Sequence, residues 1–590
     1  MPDLSGATGA APARPLRARW LGTVPYGEAF DLQHALFERG GDDWLLLLEH
    51  PHVYTLGARA DMANVLVPPE SVGAELVRAD RGGDVTYHGP GQLVGYPILT
   101  VPGKRGGGMA DTVAYVRSVE QLVIDTLADL GLPDTGRLHD YPGVWVAPGS
   151  DRPRKIAAIG VRLSRGRSMH GFALNVAPDM TMFTHIVPCG IPDKPVTSLA
   201  SEGIDVSMKE VVDALVARAI DRWAPDGRPW ERADVVWREG GRDDDLSPFS
   251  RGLGAGAPVR SAADHGVAHA PPLVDVPTAG PSLRLRGRLA EAGVADGLAL
   301  SARKPEWLRA HVSLGPRPLA LKRTVRDLGL VTVCEEAGCP NLSECWSDGT
   351  ATFMINGERC TRACGFCLVD TRRPEPPSAH EPANVAEAVA RMGLDFAVVT
   401  TVARDDLPDE GAGQVAATVR AIRDRCPGTG VEVLISDCRG RAEALELIFA
   451  ERPDVLNHNI ETVARLQRAV RPSAGYARSL SVLARAVDAG LTAKSGLVVG
   501  MGETRDEIAA TLADLAAVGT SIVTIGQYLR PTTHHLPVAH WWTPRDFEEF
   551  AAVGRDLGIA HVESSPFTRS SYHAERAAAG AGTAAAAGEG

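Results

Sequence analysis

The sequence has no uninterrupted apolar run of the roughly 18 residues that a helix needs to span a bilayer. It also lacks the basic, then apolar, then small-residue pattern of an N-terminal secretory signal. Positive charge is not in excess, because 73 acidic residues outnumber 61 basic residues and give a net charge of -12. These absences argue against a membrane protein and against a protein that coats nucleic acid, so we expect a soluble cytoplasmic protein.

The chain of 590 residues is long enough for two to four domains, and it contains no internal repeat. Residues 239–282 are rich in Gly, Pro, Ser and Ala and poor in aromatics, which is typical of a flexible linker. Residues 1–15 and 577–590 offer nothing bulky to bury, and we expect both ends to be disordered. Because the two halves share no motif, we predict one domain over 16–238 and a different one over 283–576.

Hydrophobic patterns predict an α/β multidomain protein. In the first half, strand-like runs such as WLLLLEH and KIAAIGVRL mix with helical patterns such as SVEQLVIDTLADLG, which favours an α+β domain. In the second half, short runs such as FAVVTT, VEVLIS and KSGLVVG alternate regularly with helical stretches. That alternation predicts βα units around a parallel barrel or partial barrel, with the active site at the carboxyl ends of the strands.

The first half contains a single cysteine, Cys189, in the stretch HIVPCGIP. A lone cysteine is most often a small buried hydrophobe, but the flanking Pro188 and Gly190 favour a loop that presents the thiol. A glycine-rich stretch, RGGDVTYHGPGQLVGYPI at 81–98, requires a tightly bent backbone. Lys155 opens the stretch KIAAIG, and residues 170–176 read HGFALNV. Together these features favour a functional site over a decorated hairpin.

The segments RGGDVTYHGPGQ, KIAAIG, HGFALNV and PCGI, in this order, resemble the lipoyl(octanoyl) transferase family over about 16–237. The resemblance implies a biotin/lipoate ligase-like fold and transfer of an octanoyl group from octanoyl-acyl carrier protein to a lysine of a lipoyl domain. It makes Cys189 the thioester-forming nucleophile and Lys155 its activating partner. It also implies that the acyl chain is bound by Arg81, Gly82, Gly83, Asp84, Val85, Thr86, Tyr87, His88, Ala158, Ile159, Gly160, Gly171, Phe172 and Ala173. His88 and His170 remain open to a second interpretation as hydrogen-bonded core histidines.

Two alternatives stay open for the first half. An ATP-dependent lipoate or biotin ligase shares the fold, although an adenylating ligase needs no thiol. Basic residues also cluster around the lysine and predict a rim that steers acidic partners, or else a solvated strand edge. These residues are Arg152, Arg154, Lys155, Arg162, Arg165 and Arg167.

Six of the nine cysteines fall within 34 consecutive positions of the second half. In a reducing compartment such clusters are more often metal ligands than disulfides. The stretch CTRACGFC spaces Cys360, Cys364 and Cys367 so that three thiolates can hold three irons of a 4Fe-4S cluster and leave the fourth open. A zinc site is the alternative and needs a fourth ligand. The preceding TFMING reads as the first barrel strand, which places these cysteines at the active-site end.

The CTRACGFC pattern resembles radical S-adenosylmethionine enzymes. Together with CEEAGCPN, ECW and RSSYHA, it resembles the lipoyl synthase family over about 304–574. The resemblance implies two 4Fe-4S clusters, one of which binds S-adenosyl-L-methionine. Cys334, Cys339, Cys345 and Ser571 would hold the other, auxiliary cluster, whose sulfur enters C6 and C8 of a protein-bound octanoyl chain.

The partners implied are the lipoyl domains of 2-oxoacid dehydrogenase complexes, the glycine cleavage H protein, and an electron donor such as ferredoxin or flavodoxin. Polar residues that follow strand-like runs are candidate cofactor contacts, or else barrel-end ion pairs: Arg404, Asp405, Asn459, Glu461, Lys494 and Gln527. Cys426 and Cys438 are expected to be packing thiols. An iron–sulfur carrier remains the non-enzymatic alternative for this half.

Overall fold

The computed structural model describes residues 14–103, 110–191, 193–237, 288–294, 297–298, 303–308, 323–332, 341 and 351–578. The predicted linker 239–282 lies outside the described residues, as do residues 1–13 and 579–590 of the two predicted tails. The chain divides into two units, residues 1–241 and 242–590. The exact domain boundaries therefore stay predictions.

The N-terminal unit is built on a mixed sheet with the strand order β11-β1-β2-β6-β10-β9-β8-β7. Strand β1 pairs in parallel with β2 and β11, and the other neighbours are antiparallel. Its strands are β1 (Leu16–Thr23), β2 (Asp43–Glu49), β6 (Gln92–Ile98), β7 (Thr135–Leu138), β8 (Tyr141–Val146), β9 (Arg154–Ser164), β10 (Arg167–Asn175) and β11 (Trp230–Asp234). Among the described residues, the α-helices of this unit are α1 (Tyr26–Arg39), α2 (Thr112–Asp129) and α3 (Met208–Trp223).

The run WLLLLE predicted a strand, and in β2 its side chains are almost all buried because both faces of the sheet are covered. Leu45 and Leu47 join the core that helices α2 and α3 form against the sheet. A separate three-stranded sheet contains β3 (Val53–Leu56), β4 (Glu75–Arg78) and β5 (Val85–His88), in the order β4-β3-β5. The predicted α+β fold of this half is confirmed.

The C-terminal unit has eight strands in sequential order among its described residues, from β12 to β19. Strand β12 is antiparallel to β13, and every later neighbour is parallel. The strands are β12 (Val331–Thr332), β13 (Thr352–Ile355), β14 (Phe396–Thr401), β15 (Gly430–Leu434), β16 (Val455–Asn457), β17 (Ala493–Val499), β18 (Ile522–Gln527) and β19 (His561–Ser564). The α-helices described between them are α4 (Glu381–Met392), α5 (Ala412–Arg425), α6 (Ala442–Ala450), α7 (Gln467–Val470), α8 (Tyr476–Asp488), α9 (Arg505–Ala517) and α10 (Pro544–Asp556).

Local sequence explains where these helices begin. Thr504 before α9 and Thr543 before α10 each form a capping box with an acidic residue three positions later, which satisfies backbone N–H groups of the first turn. Strands flanked by helices are buried and near-continuously apolar, as a parallel sheet requires. The predicted parallel α/β architecture is confirmed.

The last described segment of the chain packs under the sheet. Ala574 and Ala577 contact Phe396 and Val398 of β14 and Ile522 of β18 in one hydrophobic cluster. Residues just before this segment, at 567–571, are thereby held over the strand ends. In the described parts of the chain, no helix combines the length and apolar character required to cross a membrane.

Candidate active sites

The predicted catalytic stretches of the N-terminal unit meet around one small cavity of about 50 Å³. It lies where β5, β9 and β10 meet the turn that carries Cys189. Its lining includes Tyr26, Arg81, Gly82, Gly83, Asp84, Thr86, His88, Val94, Tyr96, Ala158, Ile159, Gly160, His170, Gly171, Phe172, Ala173 and Cys189. Four segments far apart in sequence are therefore brought to one thiol.

Strand alternation divides the predicted acyl-binding stretch 81–88. Thr86 and His88 line the cavity, whereas Val85 and Tyr87 lie in a hydrophobic cluster. Successive side chains of a strand point to opposite faces. The expectation that all eight residues line the cavity is therefore corrected for Val85 and Tyr87.

Cys189 lies in a short 3-10 turn, Pro188–Gly190, with a φ of 57°. A positive φ is uncommon for a residue with a Cβ and stores strain that the surrounding structure must hold. The backbone N–H of Val187 donates to the carbonyl of Asn64 at 2.8 Å. Gly190 lies against Asp84, since a Cβ there would come within 2.8 Å of the Asp84 Oδ2 atom. The turn thus holds a partly exposed thiol at the cavity.

Lys155 is at the start of β9 and is buried, with only 6% of its surface exposed. Its Nζ lies 5.0 Å from the centroid of the Trp145 ring, a cation–π contact. Its backbone is fixed because its N–H donates to the Pro195 carbonyl and its carbonyl accepts from Thr197. Lys155 is not among the residues that line the cavity.

Both predicted histidines line the cavity and are also hydrogen-bonded. His88 pairs with Gln92 at 2.8 Å, and burial holds its pKa well below the usual range. His170 Nε2 pairs with Asp80 at 2.6 Å, while its Nδ1 has no hydrogen-bond partner within the described ranges. Burial also lowers the pKa of His170. Each histidine is therefore both a hydrogen-bonded core residue and part of the cavity wall.

The predicted basic rim is corrected by the structure. Four of its arginines form ion pairs with carboxylates, which cancels most of the local positive charge. The pairs are Arg154 with Glu202, Arg162 with Asp80, Arg165 with Glu38, and Arg167 with Asp43. The basic cluster therefore fits the alternative of a solvated strand edge better than a rim of free charges that steers acidic partners.

The C-terminal unit contains a larger cavity, of about 690 Å³. Its walls come from the ends of the parallel strands, from the cysteine loop after β13, and from residues 567–571. Cys360, Cys364 and Cys367 all line it, and so does Ser571. The cavity thus lies at the carboxyl ends of the strands, where sites of this architecture form.

The loop that carries the three thiols is held on several sides. The N–H of Thr361 donates to the Ala403 carbonyl at 3.0 Å, and the N–H of Gly365 donates to Val470 at 2.7 Å. The His535 ring contacts the Cys367 carbonyl at 2.9 Å. These bonds fix the backbone of the loop from three different segments.

Comparisons with known proteins agree with this geometry. A family model for the lipoyl protein ligase A/B catalytic domain matches residues 25–220, and one for the radical SAM superfamily matches residues 354–515. The lipoyl synthase of Acidothermus cellulolyticus is 55% identical over 274 residues, which are 46% of this chain and 85% of that protein. The chain belongs, through its C-terminal unit, to the lipoyl synthase family. The N-terminal unit carries a lipoate ligase/transferase catalytic domain.

A second relative supports the same assignment. The lipoyl synthase of Rubrobacter xylanophilus is 54% identical over 273 residues, again 46% of this chain and 85% of that protein. A solved structure of lipoate-protein ligase A bound with ATP covers 38% of this chain and 89% of its own, at 19% identity and a TM-score of 0.31. That score is too low to carry an argument. The predicted lipoyl synthase family of the C-terminal half is confirmed by these relatives, and the N-terminal half matches the model for the lipoyl protein ligase A/B catalytic domain.

The donor set of the lipoyl synthase unit fits an iron–sulfur cluster and a polar cofactor. Radical SAM membership implies S-adenosylmethionine and a 4Fe-4S cluster. In the described part of the chain no three His, Cys, Asp or Glu side chains are grouped closely enough to hold a single metal ion. Cys360, Cys364 and Cys367 nevertheless line one cavity, and three thiolates are the donor set of a 4Fe-4S cluster with one open iron. Asn459 Oδ1 and Ser473 Oγ, on residues that line the cavity, are buried and have no hydrogen-bond partner among the described residues. Such orphaned acceptors suit a polar ligand.

Of the four predicted ligands of the auxiliary cluster, the structure describes one. Cys334, Cys339 and Cys345 lie outside the described residues. Ser571 lies in the described part and lines the cavity. Its role as a ligand stays a prediction.

Three of the six predicted cofactor contacts are corrected. Asn459, Glu461 and Gln527 line the cavity, but Arg404, Asp405 and Lys494 do not. The last three residues are engaged in ion pairs: Arg404 with Asp406 at 2.9 Å, Asp405 with Arg362 at 2.7 Å, and Lys494 with Glu432 at 2.9 Å. Lys494 shares a face of β17 with Gly496 and Val498, which line the cavity, but it lies closer to the start of the strand. Position near a strand end therefore predicts a site residue only when both the direction and the depth of the side chain suit the cavity.

Sequence reasoning missed Arg362 and Arg471, both of which line the cavity. Arg362 lies between two cluster cysteines and bridges Asp405 and Asp437, each at 2.7 Å. Arg471 donates to the backbone carbonyl of Asn459 at 2.9 Å. An arginine inside the cysteine motif was a readable signal for Arg362, whereas Arg471 follows a short helix that the alternation does not predict.

The two remaining cysteines are packed in the core. Cys438 is a member of the main hydrophobic cluster of this unit, and Cys426 packs against it. Burial raises the pKa of the Cys438 thiol to about 12. Both placements agree with packing thiols.

Proposed function

We propose that this chain is a bifunctional enzyme that builds the lipoyl group on lipoyl domains. The N-terminal unit transfers an octanoyl group from octanoyl-acyl carrier protein to a lipoyl-domain lysine, and the C-terminal unit inserts sulfur at C6 and C8 of that chain. The observation that carries the first activity is the thiol of Cys189 at a cavity lined by the predicted acyl-binding segments. Membership of the lipoyl synthase family supports the second.

The octanoyl transfer would proceed in two acyl exchanges. The Cys189 thiolate attacks the carbonyl carbon of the incoming thioester, a new S–C bond forms, and the carrier leaves as a thiolate. The lysine amine then attacks the same carbonyl, loses a proton, and releases the Cys189 thiolate. A thioester stays reactive enough for the second exchange. Val94, Ile159 and Phe172 supply apolar surface for the acyl chain.

In the second activity, the residues of the chain bind and orient. Cys360, Cys364 and Cys367 would hold a cluster with one open iron, and Asn459, Glu461 and Gln527 would contact the cofactor bound there. Cys334, Cys339, Cys345 and Ser571 would hold the auxiliary cluster. When bound, these groups supply a radical that removes hydrogen from unactivated carbons, and the sulfur that replaces it. The cavity walls keep the octanoyl chain in place and exclude water.

One experiment tests both activities in the full chain. The anaerobic, cluster-loaded protein is mixed with octanoyl-acyl carrier protein, S-adenosylmethionine, a reductant and an apo lipoyl domain, and the domain is followed by mass spectrometry. We expect it to gain octanoyl and then two sulfurs. Cys189→Ala should abolish the first product, while Cys364→Ala should stop the second without affecting the first. Cys426→Ala is the matched cysteine control and should reduce neither product.

The same assay decides against the alternatives. Octanoyl transfer that needs ATP, or that survives in Cys189→Ala, would identify a ligase instead of a thioester-forming transferase. A reduced, cluster-loaded protein that never cleaves S-adenosylmethionine would leave only an iron–sulfur carrier. Partners proposed for the chain are lipoyl domains of 2-oxoacid dehydrogenase complexes, the glycine cleavage H protein, and a ferredoxin- or flavodoxin-like donor.

A further inference from the structure

Arg81 is a buried cation beside the candidate nucleophile. Only 8% of its surface is exposed, and it lines the same cavity as Cys189. A buried charge is costly unless a counter-charge or hydrogen bonds compensate it. The groups that surround Arg81 therefore indicate what the site is built to receive.

The hydrogen bonds of Arg81 run to neutral groups. Its Nη2 donates to the Thr55 carbonyl at 2.6 Å and to the Thr55 hydroxyl at 2.8 Å, and its Nη1 donates to the Gly82 carbonyl at 3.0 Å. Within the described ranges, none of its bonds or ion pairs is with a carboxylate. The guanidinium is fixed in place without a direct ion pair to a carboxylate of these ranges.

Asp84 is the carboxylate that lines the cavity, and its hydrogen bonds run to groups other than Arg81. Asp84 Oδ2 accepts from the Asn64 amide at 2.7 Å, and its Oδ1 accepts from the Val85 N–H at 2.6 Å. Arg81 differs in this respect from four arginines that pair directly with carboxylates: Arg154, Arg162, Arg165 and Arg167. Arg81 is therefore a cation of the cavity wall that makes no direct ion pair with the described residues.

Two glycines lie close to Arg81 and to the backbone that follows it. A Cβ at Gly57 would come within 2.4 Å of the Gly83 carbonyl oxygen and 2.7 Å of the Arg81 Nη1 atom. A Cβ at Gly160 would come within 3.0 Å of the Gly82 carbonyl oxygen and 3.2 Å of the Arg81 Cδ atom. The glycine in KIAAIG therefore leaves room for the segment that carries Arg81, which lines one cavity with Tyr26, Tyr96 and Cys189.

The charge interactions are consistent with this placement. Burial lowers the pKa of Arg81, and the charges of Tyr26, Cys189, Tyr96 and Asp84 oppose that shift. Burial raises the pKa of Tyr26 to about 12 and that of Tyr96 well above its usual range, so neither is an anion near neutral pH. Burial also lowers the pKa of His88 and His170, so both rings are neutral there. Asp84 and Cys189 remain as the acidic groups that line the cavity with Arg81, and of these two only Cys189 is a nucleophile.

We propose that Arg81 is a catalytic residue that stabilises the Cys189 thiolate, in addition to or in place of Lys155. This inference rests on the proposed octanoyl transfer, in which Cys189 is the nucleophile. Lys155 packs on Trp145 and does not line the cavity, whereas Arg81 does. A guanidinium stays charged at all working pH values, so it would hold the thiolate throughout the catalytic cycle.

Alkylation of the resting protein tests this without any acyl substrate. The full, cluster-loaded chain is treated with iodoacetamide at neutral pH, and the modification of Cys189 is followed by peptide mass spectrometry with Cys426 as the internal reference. Because the thiolate is the reactive form, Arg81→Met should slow alkylation of Cys189 by about tenfold or more. Arg81→Lys keeps the charge and should retain most of the rate. Arg81→Gln is a second neutral variant that can still bond to Thr55.

Arg167→Met is the matched control, since Arg167 is equally buried but pairs with Asp43 outside the cavity. It should leave the alkylation rate of Cys189 unchanged. Unchanged alkylation in folded Arg81→Met or Arg81→Gln would overturn the proposal, and so would an equal fall in Arg167→Met. Failure of the proposed function gives a different result: octanoyl transfer would persist in Cys189→Ala.

Discussion

Gly526 on strand β18 offers the sharpest test of how the C-terminal segment reaches the lipoyl synthase cavity. A Cβ at this position would lie 2.0 Å from the Thr568 carbonyl oxygen and 2.9 Å from the Arg569 Nη1 atom. Ordinary contact begins near 3.4 Å, so the backbone at Thr568 would have to move by about 1.4 Å, the difference between 3.4 and 2.0 Å. We therefore expect Gly526→Ala to displace residues 567–571 and with them Ser571.

The expected energetic effect follows from overpacking. Inserting a methyl group against backbone typically costs about 1–3 kcal/mol. The substitution should also weaken the bond in which the Gln527 N–H donates to the Pro566 carbonyl at 3.3 Å. If that cost falls on the catalytic arrangement, sulfur insertion should slow by about fivefold or more, since about 1.4 kcal/mol corresponds to a factor of ten.

The assay compares the two activities of the same protein. Octanoyl transfer by the N-terminal unit provides the internal reference, and sulfur insertion is measured by mass spectrometry of the lipoyl domain. Gly428→Ala is the matched control, because a Cβ there meets nothing within 4 Å. If Gly526→Ala inserts sulfur as fast as the parent protein, residues 567–571 do not need the position described, and the reasoning fails.

Three further outcomes are expected. Arg362→Met leaves Asp405 and Asp437 without their shared cation, so it should destabilise the C-terminal unit by about 3–5 kcal/mol and lower the iron bound after reconstitution. The side chain of Arg404 bonds to Asp406 and to the Asn356 carbonyl, so Arg404→Met should cost stability yet spare the iron content. Lys494→Met should unfold the C-terminal unit at lower denaturant concentration, because Glu432 is fully buried and would lose its partner; an unchanged midpoint in urea would contradict this. Burial lowers the pKa of His50 to about 4 from an ordinary value of 6.5. The unfolded state therefore binds the proton first, so the stability of the N-terminal unit should fall as the pH drops from 6.5 towards 4. His50→Gln should flatten that slope in pH-dependent melting, and His139→Gln, at an exposed histidine, should not.

The fold of each half was readable because its signals are local. Alternating runs such as FAVVTT and KSGLVVG predicted parallel strands, and these became β14 and β17. The cysteine spacing in CTRACGFC was equally readable, since three ligands lie within one loop. These features depend on hydrophobic period and short spacing, which tertiary packing did not override.

Neither the direction nor the depth of a side chain was readable. Asp405 follows a strand as Asn459 does, yet it pairs with Arg362 while Asn459 lines the cavity. Lys494 is on the cavity face of β17, but it lies near the start of the strand and pairs with Glu432. The basic cluster around Lys155 looked free, but its partners come from residues far away in sequence, such as Glu202 and Glu38. Charge pairing across distant segments leaves no local pattern.

The sequence by itself determined the α/β architecture, the thiols and the glycine-rich segments, because each depends on residue type and short-range order. The tertiary structure alone decided that Arg81, and not Lys155, lines the same cavity as Cys189. Arg81 and Cys189 are more than 100 positions apart, and only the packing of β5, β9 and β10 brings them to one cavity. The same packing pairs the arginines near Lys155 with carboxylates, whereas Arg81 bonds to neutral groups. This difference in partners is the basis of the role proposed for Arg81.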